Sequence, residues 1–398
     1  MAVAIESVGT KNTGSNPMAV TIKTVDLNNK KDIEQFLHLP WKIYAPNGQK
    51  NPNWVPPFLD DQRSLLNPQK NPYHQHSRSK LFMAFNDKNE LVGRISASVD
   101  DNFNKFWNDK VGFFGWFECV DDPAVAQALF QEAEKFLKAE GMTSVRGPAS
   151  FTSNDDYFGF LLEGYESPAR IAMTYNPPYY LPLAEKAGYT KAKDLYAWYL
   201  SAQIELPERI VKIAQRTMKR ERITIRPLNM KKLYEDAAIL KELYNKIWEK
   251  NWGFVPMTDD EFNYQVKKLK DIVWPDFVVF AEVDGKAIGF NLVVPDVNQA
   301  LIKMDGELFS FHDPFALVKF LTCKFDDTRE MAMGVLPEYR KKGLEAILYL
   351  EALKTGKKRK IKGGELSWTL EDNEGINNGI EAMGGKIIKK YRIYGKSL

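Results

Sequence analysis

Cysteine is nearly missing: Cys119 and Cys323 are the two in 398 residues. They stand far apart and outside any C-x-x-C pair, which excludes a disulfide framework and a thiolate metal centre. Such usage fits a reducing compartment, and the expected location is the cytoplasm. Histidine is as scarce, with four residues. His74 and His76 in "YHQHS" lack the further ligands that zinc requires, so no metal is expected and both read as loop surface. Long apolar runs are absent too. No stretch approaches the roughly 20 residues of a bilayer span, and "MAVAIESVGTKNTGSNPMAV" lacks the basic-then-apolar order of a signal peptide. Charge of one sign is not in excess, since Lys+Arg 55 faces Asp+Glu 52. That balance argues for neither nucleic acid nor membrane as a partner. Walker and dinucleotide glycine fingerprints are missing as well.

Aromatic residues are abundant, with 24 Phe, 17 Tyr and 9 Trp, as large cores or aromatic-lined pockets require. The polar stretch 1–18 reads as disordered. Two units then follow in matching order. In the first, "VTIKTVDL" alternates as a strand, "KKDIEQFLHLPWKIY" is an amphipathic helix, and "LFMAFNDKNELVGRISASVD" is a hairpin. "VGFFGWFECV" is a buried strand, "PAVAQALFQEAEKFLKAEG" a helix, and "TSVRGP" and "KDLYAWYL" are strands. The Pro- and Asn-rich segment 45–76 reads as irregular. In the second, "ITIRPL", "YEDAAILKELYNKIWEKN", "FVVFAEVDGKAIGFNLVVPD", "MAMGVL", "GLEAILYLEALKTGKKRK", "GGELSWTL", "EGINNGIEAMGG" and "KIIKKYRIYGK" repeat strand, helix, hairpin, strand, helix, strand, helix, strand. This order implies duplication of one α/β unit of roughly 180 residues. The units span 19–203 and 223–398, and the basic helix 204–222 connects them.

"VLPEYRKKGLEAIL" carries the most specific signal. A strand, an Arg-x-x-Gly turn and a helix place unpaired N–H groups and a helix dipole where an anion can sit. The stretch resembles the pyrophosphate loop of the GCN5-related N-acetyltransferases (GNAT), with Arg340, Gly343 and Glu345 at the pattern positions. Glu345 stands where the family has glycine or alanine. "NEGINNGIEAMGG" resembles the family's second signature, led by Asn373, with Ile380 where many members have tyrosine and Gly385 in place of an aromatic residue. The first unit keeps a weaker echo, "YNPPYYLPLAEKAGY", and has no Arg-x-x-Gly loop. Blocks such as "GFFGWFE", "VRGP" and "LSWTLEDN" are similar to a bacterial branch with tandem domains. The resemblance implies an α/β (α+β) fold of two GNAT-like domains, each a twisted, mixed but mostly antiparallel sheet flanked by helices. The first is then a pseudo-domain.

The resemblance also implies a reaction: direct transfer of an acyl group from acetyl-CoA or another acyl-CoA to an amine. Val335, Leu336, Arg340, Lys341, Lys342, Gly343, Leu344, Glu345 and Asn373 are the expected donor-binding residues. An N–H near Gly334 or Val335 would polarise the thioester. Glu345 brings a like charge to the phosphates; two unit charges at about 4 Å cost about 4 kcal/mol at an effective dielectric of 20. It is equally an ordinary first-turn acid that occupies the anion site itself. The candidate bases are Glu330, which shares strand parity with Ala332 and Gly334, and Glu371 and Asp372 at a strand's carboxyl end. Ile380 removes the family's usual acid, for which Tyr391 and Tyr394 are substitutes. Asn154, Asp155 and Tyr157 are polar candidates for an inter-domain cleft that takes a small-molecule amine. The alternative is a degenerate relative that binds a small molecule or a partner. A third reading, with aminoacyl-tRNA as donor, finds no support in the charge balance.

Overall fold

Strands from the two halves of the chain lie side by side at the centre of the molecule. The computed structural model describes residues 20–151, 157–307, 314–322, 324–340 and 342–398. The expectations for 1–18, Asn154, Asp155, Cys323 and Lys341 lie outside the described residues. The first half runs β1 (Thr21–Thr24), α1 (Lys30–Tyr44), α2 (Leu59–Leu66), β2 (Ser77–Phe85), β3 (Leu91–Asp100), α3 (Asp101–Trp107), β4 (Val111–Cys119), α4 (Pro123–Ala139), β5 (Ser144–Gly147), β6 (Phe160–Glu163), α5 (Tyr180–Lys186) and β7 (Thr190–Ser201). The connector α6 (Glu208–Arg220) leads into β8 (Ile223–Pro227), α7 (Leu233–Trp248), α8 (Asp259–Leu269), β9 (Val278–Val283), β10 (Lys286–Pro295), α9 (Asn298–Leu301) and α10 (Pro314–Leu321). β11 (Asp327–Val335), α11 (Leu344–Arg359), β12 (Gly363–Leu370), α12 (Glu374–Ala382) and β13 (Lys386–Ser397) complete it.

One mixed sheet joins everything, in the order β1-β2-β3-β4-β5-β13-β7-β12-β11-β10-β9-β8, with β6 paired to β13. The two halves therefore exchange their last strands. β13 pairs with β5 of the first half, from Tyr394↔Gly147 to Ser397↔Ser144. β7 pairs with β12 of the second, from Gly363↔Ser201 to Leu370↔Leu195. β7 and β13 meet antiparallel along their length. This exchange ties each half's sheet to the other's backbone. The fold is the tandem α/β arrangement that the strand and helix order implies.

Three departures matter for the site. The Pro-rich segment 45–76 contains α2, because Leu59, Leu65 and Leu66 bury one helical face beneath α1. The second half has a helix, α8, that starts on a capping box between Thr258 and Glu261. Between β10 and β11 stands an insertion with two helices, α9 and α10.

The halves differ at the place where their two parallel strands part. In the first, β4 and β5 pair only from Val111↔Ser144 to Phe113↔Arg146. Backbone fills the opening beyond: Ala149 N–H donates to the Phe114 carbonyl at 2.8 Å. A Cβ on Gly115 would come 1.9 Å from the Ala149 oxygen, so only glycine permits this approach. In the second, β11 and β12 pair from Asp327↔Gly363 to Glu330↔Leu366 and run on unpaired to each other. That opening holds a cavity.

Candidate functional site

The cavity at the β11–β12 opening has a volume of about 270 Å³. α7 lines it with Leu233, Ala237, Leu240, Tyr244 and Trp248, a stripe at helical spacing. α8 adds Phe262, Val266 and Leu269, and α12 adds Ile376 and Ile380. Ile380 is thus part of an apolar wall. A second cavity, of about 680 Å³, lies in the first half under α1, α8 and the insertion. Ala172, Met173, Gln265, Leu269 and Met331 line both, so the two abut.

Glu330 stands where the strands part, half-buried in the wall of the first cavity. Asn291, fully buried on β10, donates its Nδ2 to Glu330 Oε2 at 2.9 Å. Burial pushes the Glu330 carboxyl up to about 7, against the pull of the Asn291 bond. This is the environment of a general base poised near neutrality. The local backbone explains its aim. The register steps from Val293↔Glu330 to Leu292↔Ala332, so Met331 is an extra, bulged residue. The parity that would group Glu330 with Ala332 and Gly334 therefore breaks. Ala332 and Gly334 face α7, whose Ile247 and Trp248 lie close to Gly334. Glu330 faces α11 with Asn291. There Tyr349 lines the same cavity, its phenol pushed well up by burial and by the charges of Glu330 and Glu345.

The loop after β11 has the expected shape. Leu336 N–H donates to Ile288 O at 2.8 Å and continues the ladder past Val335. Gly343 adopts φ 85°, the left-handed turn that starts α11, and Leu344 is fully buried behind it. Arg340 is exposed, with Nη2 donating to the Ile247 carbonyl at the end of α7, 2.7 Å away. Glu345 folds back onto its own N–H. Burial raises its carboxyl, while that bond and Arg340 pull it down. The acid thus sits at the helix N-terminus. α6 holds the loop from outside: Thr217 Oγ1 donates to Lys342 O at 2.7 Å. The Lys342 ammonium lies 3.7 Å from Glu221. A Cβ on Gly343 would meet Ile213 of α6 at 2.7 Å. The basic connector is thus a brace on this loop.

The remaining candidates spread out. Asn373 caps α12, accepting from Ile376 N–H, and lines the first cavity. Glu371 bonds Lys191 at 2.6 Å and Asp372 bonds Lys193 at 2.7 Å, both outside that lining. They fasten the end of β12 to β7. Tyr391 is buried in the sheet between the halves, and Tyr394 donates to Glu185 at 2.9 Å in the first half. Neither lines the first cavity. Tyr157 lines the second. In the first half, the loop equivalent to 336–343 carries Asp121 and Asp122, and Asp122 caps α4.

His76 is not loop surface. Its ring bridges Asp100 at 3.1 Å and Glu261 at 3.0 Å, joining the helix caps of α3 and α8 across the halves. Burial alone would lower its pKa, but the two carboxylates outweigh burial and hold it up at about 10. Because the folded value exceeds the ordinary 6.5, the bridge stabilises fully below about pH 6.5 and is lost as pH rises through about 10. His76→Asn is expected to cost about 2 kcal/mol at pH 6 and less at pH 10. Urea unfolding across that range checks it; equal cost at both ends would refute the bridge's role.

No family profile matches the chain. Two curated proteins do, along nearly their whole length. Protein YghO of Escherichia coli is 33% identical over 375 residues, covering 93% of this chain and 94% of that protein. The bacterial ceramide synthase of Caulobacter vibrioides is 31% identical over 385 residues, covering 95% and 98%. Among solved structures, a tandem GNAT protein from the clavulanic acid biosynthesis pathway superposes with a TM-score of 0.55 at 12% identity, over 95% of this chain and 98% of that one. A GCN5-related N-acetyltransferase from Anabaena variabilis reaches 0.51 at 10% identity, over 95% and 73%. The chain therefore belongs to the family of Protein YghO and the Caulobacter ceramide synthase, built on a tandem GNAT fold.

Proposed function

We propose that the protein is an acyl-CoA-dependent N-acyltransferase that joins a long-chain acyl group to the amine of a long-chain amino alcohol, as a ceramide synthase does. The observation that carries this reading is a carboxyl titrating near 7, Glu330, in the wall of an apolar cavity beside a pyrophosphate-type loop. The 31% identical relative is named for ceramide synthesis. The α7–α8 wall favours an acyl chain longer than acetyl, because each buried methylene contributes about 0.8 kcal/mol.

In this mechanism the pyrophosphate lies against the first turn of α11, with the thioester at the β11–β12 opening. The ladder is irregular at Met331, and a backbone N–H turned into the opening there would polarise the carbonyl. Glu330 takes the proton that the attacking amine sheds, and Asn291 holds its carboxylate. A thiol with a pKa of about 8.5 leaves readily as thiolate, so it needs only a hydrogen bond and not a strong acid. Tyr349 supplies the bond, and Ile380 is then no handicap. The second cavity takes the acceptor, whose amine reaches Glu330 past Met331. The first half contributes that cavity and no donor site, since its strand opening is filled and its loop is acidic.

Glu345 supports a second reading, a non-catalytic relative whose anion site is filled by its own carboxylate. Calorimetric titration with palmitoyl-CoA and acetyl-CoA separates the two. Under the enzyme reading the wild type binds palmitoyl-CoA more tightly than acetyl-CoA. Arg340→Ala weakens both, and Glu345→Gly tightens both by about tenfold, the like-charge cost at partial exposure. Binding by Glu345→Gly alone, with none by the wild type, would favour the non-catalytic relative.

A further inference from the structure

We propose that α10 is an interfacial anchor that seats the mouth of the second cavity on the surface of a phospholipid bilayer. Among the described residues, the three most exposed large apolar side chains all belong to this one helix: Phe315 at 84%, Leu321 at 64% and Val318 at 57%. Their spacing of three places them on one stripe. The other side is fixed, since Leu317 and Phe320 pack against the cluster of Trp274, Phe277, Val297 and Phe325. The helix is thus held by its inner side and presents its outer side outward. The stretch 314–325 contains two lysines and no acidic residue.

Position gives the stripe its use. Phe320 and Leu321 line the second cavity, so the apolar stripe continues into the apolar mouth. The rim beside them balances Lys267 and Lys268 against Asp61 and Asp271. Attachment is therefore driven by apolar burial first and by charge second. The size of the patch favours a bilayer over a protein. An eight-residue helix is about 12 Å long. It offers far less than the roughly 800 Å² per partner of a stable protein interface. A bilayer accepts three bulky apolar side chains without any matching shape. Eight residues fall well short of the roughly 20 that span a bilayer, so this helix can lie only in the surface. The docking stands on this geometry alone. What it adds to the acyl-transfer reading is a route by which a lipid acceptor passes from bilayer to cavity without crossing water.

The test is flotation of the full chain with vesicles, without substrate, so that its result does not depend on catalysis. Vesicles of phosphatidylethanolamine with phosphatidylglycerol and vesicles of phosphatidylcholine are compared at low and high salt. The wild type is expected to float with both, retaining most binding at high salt. Val318→Ser with Leu321→Ser is expected to lower the bound fraction by about tenfold. Its thermal midpoint should stay unchanged, because these side chains are exposed. Wild type that stays unbound to both vesicle types overturns the proposal, as does equal flotation of the variant. A lipid-free dimer in sedimentation velocity that the variant abolishes also overturns it, and assigns the stripe to a second copy of the chain.

Discussion

Glu330→Gln is expected to lower acyl transfer by about 10²–10⁴-fold, the usual contribution of a positioned general base, while palmitoyl-CoA still binds. The wild-type kcat/KM is expected to rise with pH along an acid limb centred near 7, where Glu330 titrates. In Glu330→Gln that limb should vanish from the residual activity. A limb that persists unchanged would assign it to another group and remove Glu330 from the chemistry. The same substitution carries an opposite signature in stability. The folded carboxyl titrates at about 7 and not at its ordinary 4.5. Below about pH 4.5 it is protonated in both folded and unfolded chains and costs nothing. Between about pH 4.5 and 7 the unfolded chain gives up this proton while the folded protein still holds it in an apolar wall, so stability falls through that window and the loss is complete above 7. Glu330→Gln should therefore match the wild type near pH 4 and exceed it by about 1–3 kcal/mol at pH 8. Loss of rate with a gain in stability separates a base held at a cost from a merely structural acid, whose removal would destabilise.

Asn291 sharpens that distinction. Its Nδ2 bonds Glu330, while its Oδ1 has no hydrogen-bond partner and no exposure. A buried amide half satisfied is costly. Its position across from Met333, beside the bulge, is the one that reaches the carboxylate.

The elements that were legible in the sequence are those whose signal is local. β9 and β10 alternate around a tight turn, and α11 follows a strand with glycine at its start. Their bounds in the structure fall within a few residues of the pattern. The loop at Gly343 was legible because glycine enters the left-handed region without the cost that a side chain brings. The bulge at Met331 was not, since nothing local marks an extra residue in "REMAMGV"; it appears only when β10 is laid beside β11. Strand exchange is equally silent, because Tyr391 and Leu195 pair across about half the length of the chain. Glu371 and Asp372 read as candidate bases at a strand end. Their partners, Lys191 and Lys193, alternate on a strand of the other half. His76 was hidden for the same reason, with Glu261 supplied by α8. Ala237, Leu240, Tyr244 and Trp248 lie in the stretch that reads as a helix and share one face of it. Whether such a face meets a filled core or an open cavity depends on how far β11 and β12 diverge, and no periodicity reports that.

That same stripe yields the prediction on which the choice of donor turns. Ala237 is 6% exposed and lines the first cavity midway along α7, between Leu233 and Leu240. Ala237→Trp would place an indole across the cavity. An acyl chain that reaches beyond this point must then withdraw its far end. At about 0.8 kcal/mol per methylene, excluding four carbons costs about 3 kcal/mol, or roughly 100-fold in kcat/KM. The loss should fall on palmitoyl-CoA. Hexanoyl-CoA and acetyl-CoA, which end short of the indole, should keep their wild-type rates. The order of preference among donors would invert while Glu330 and the α11 loop stay untouched. An equal loss for every chain length would show that the indole had disturbed the fold or the base. No loss for palmitoyl-CoA would show that its chain lies elsewhere, and the α7–α8 wall would no longer explain a long-chain donor. Ala237→Val is the control: it adds little bulk and should shift only the longest donors. The length at which the rate breaks in each variant reads out how deep along α7 the chain runs.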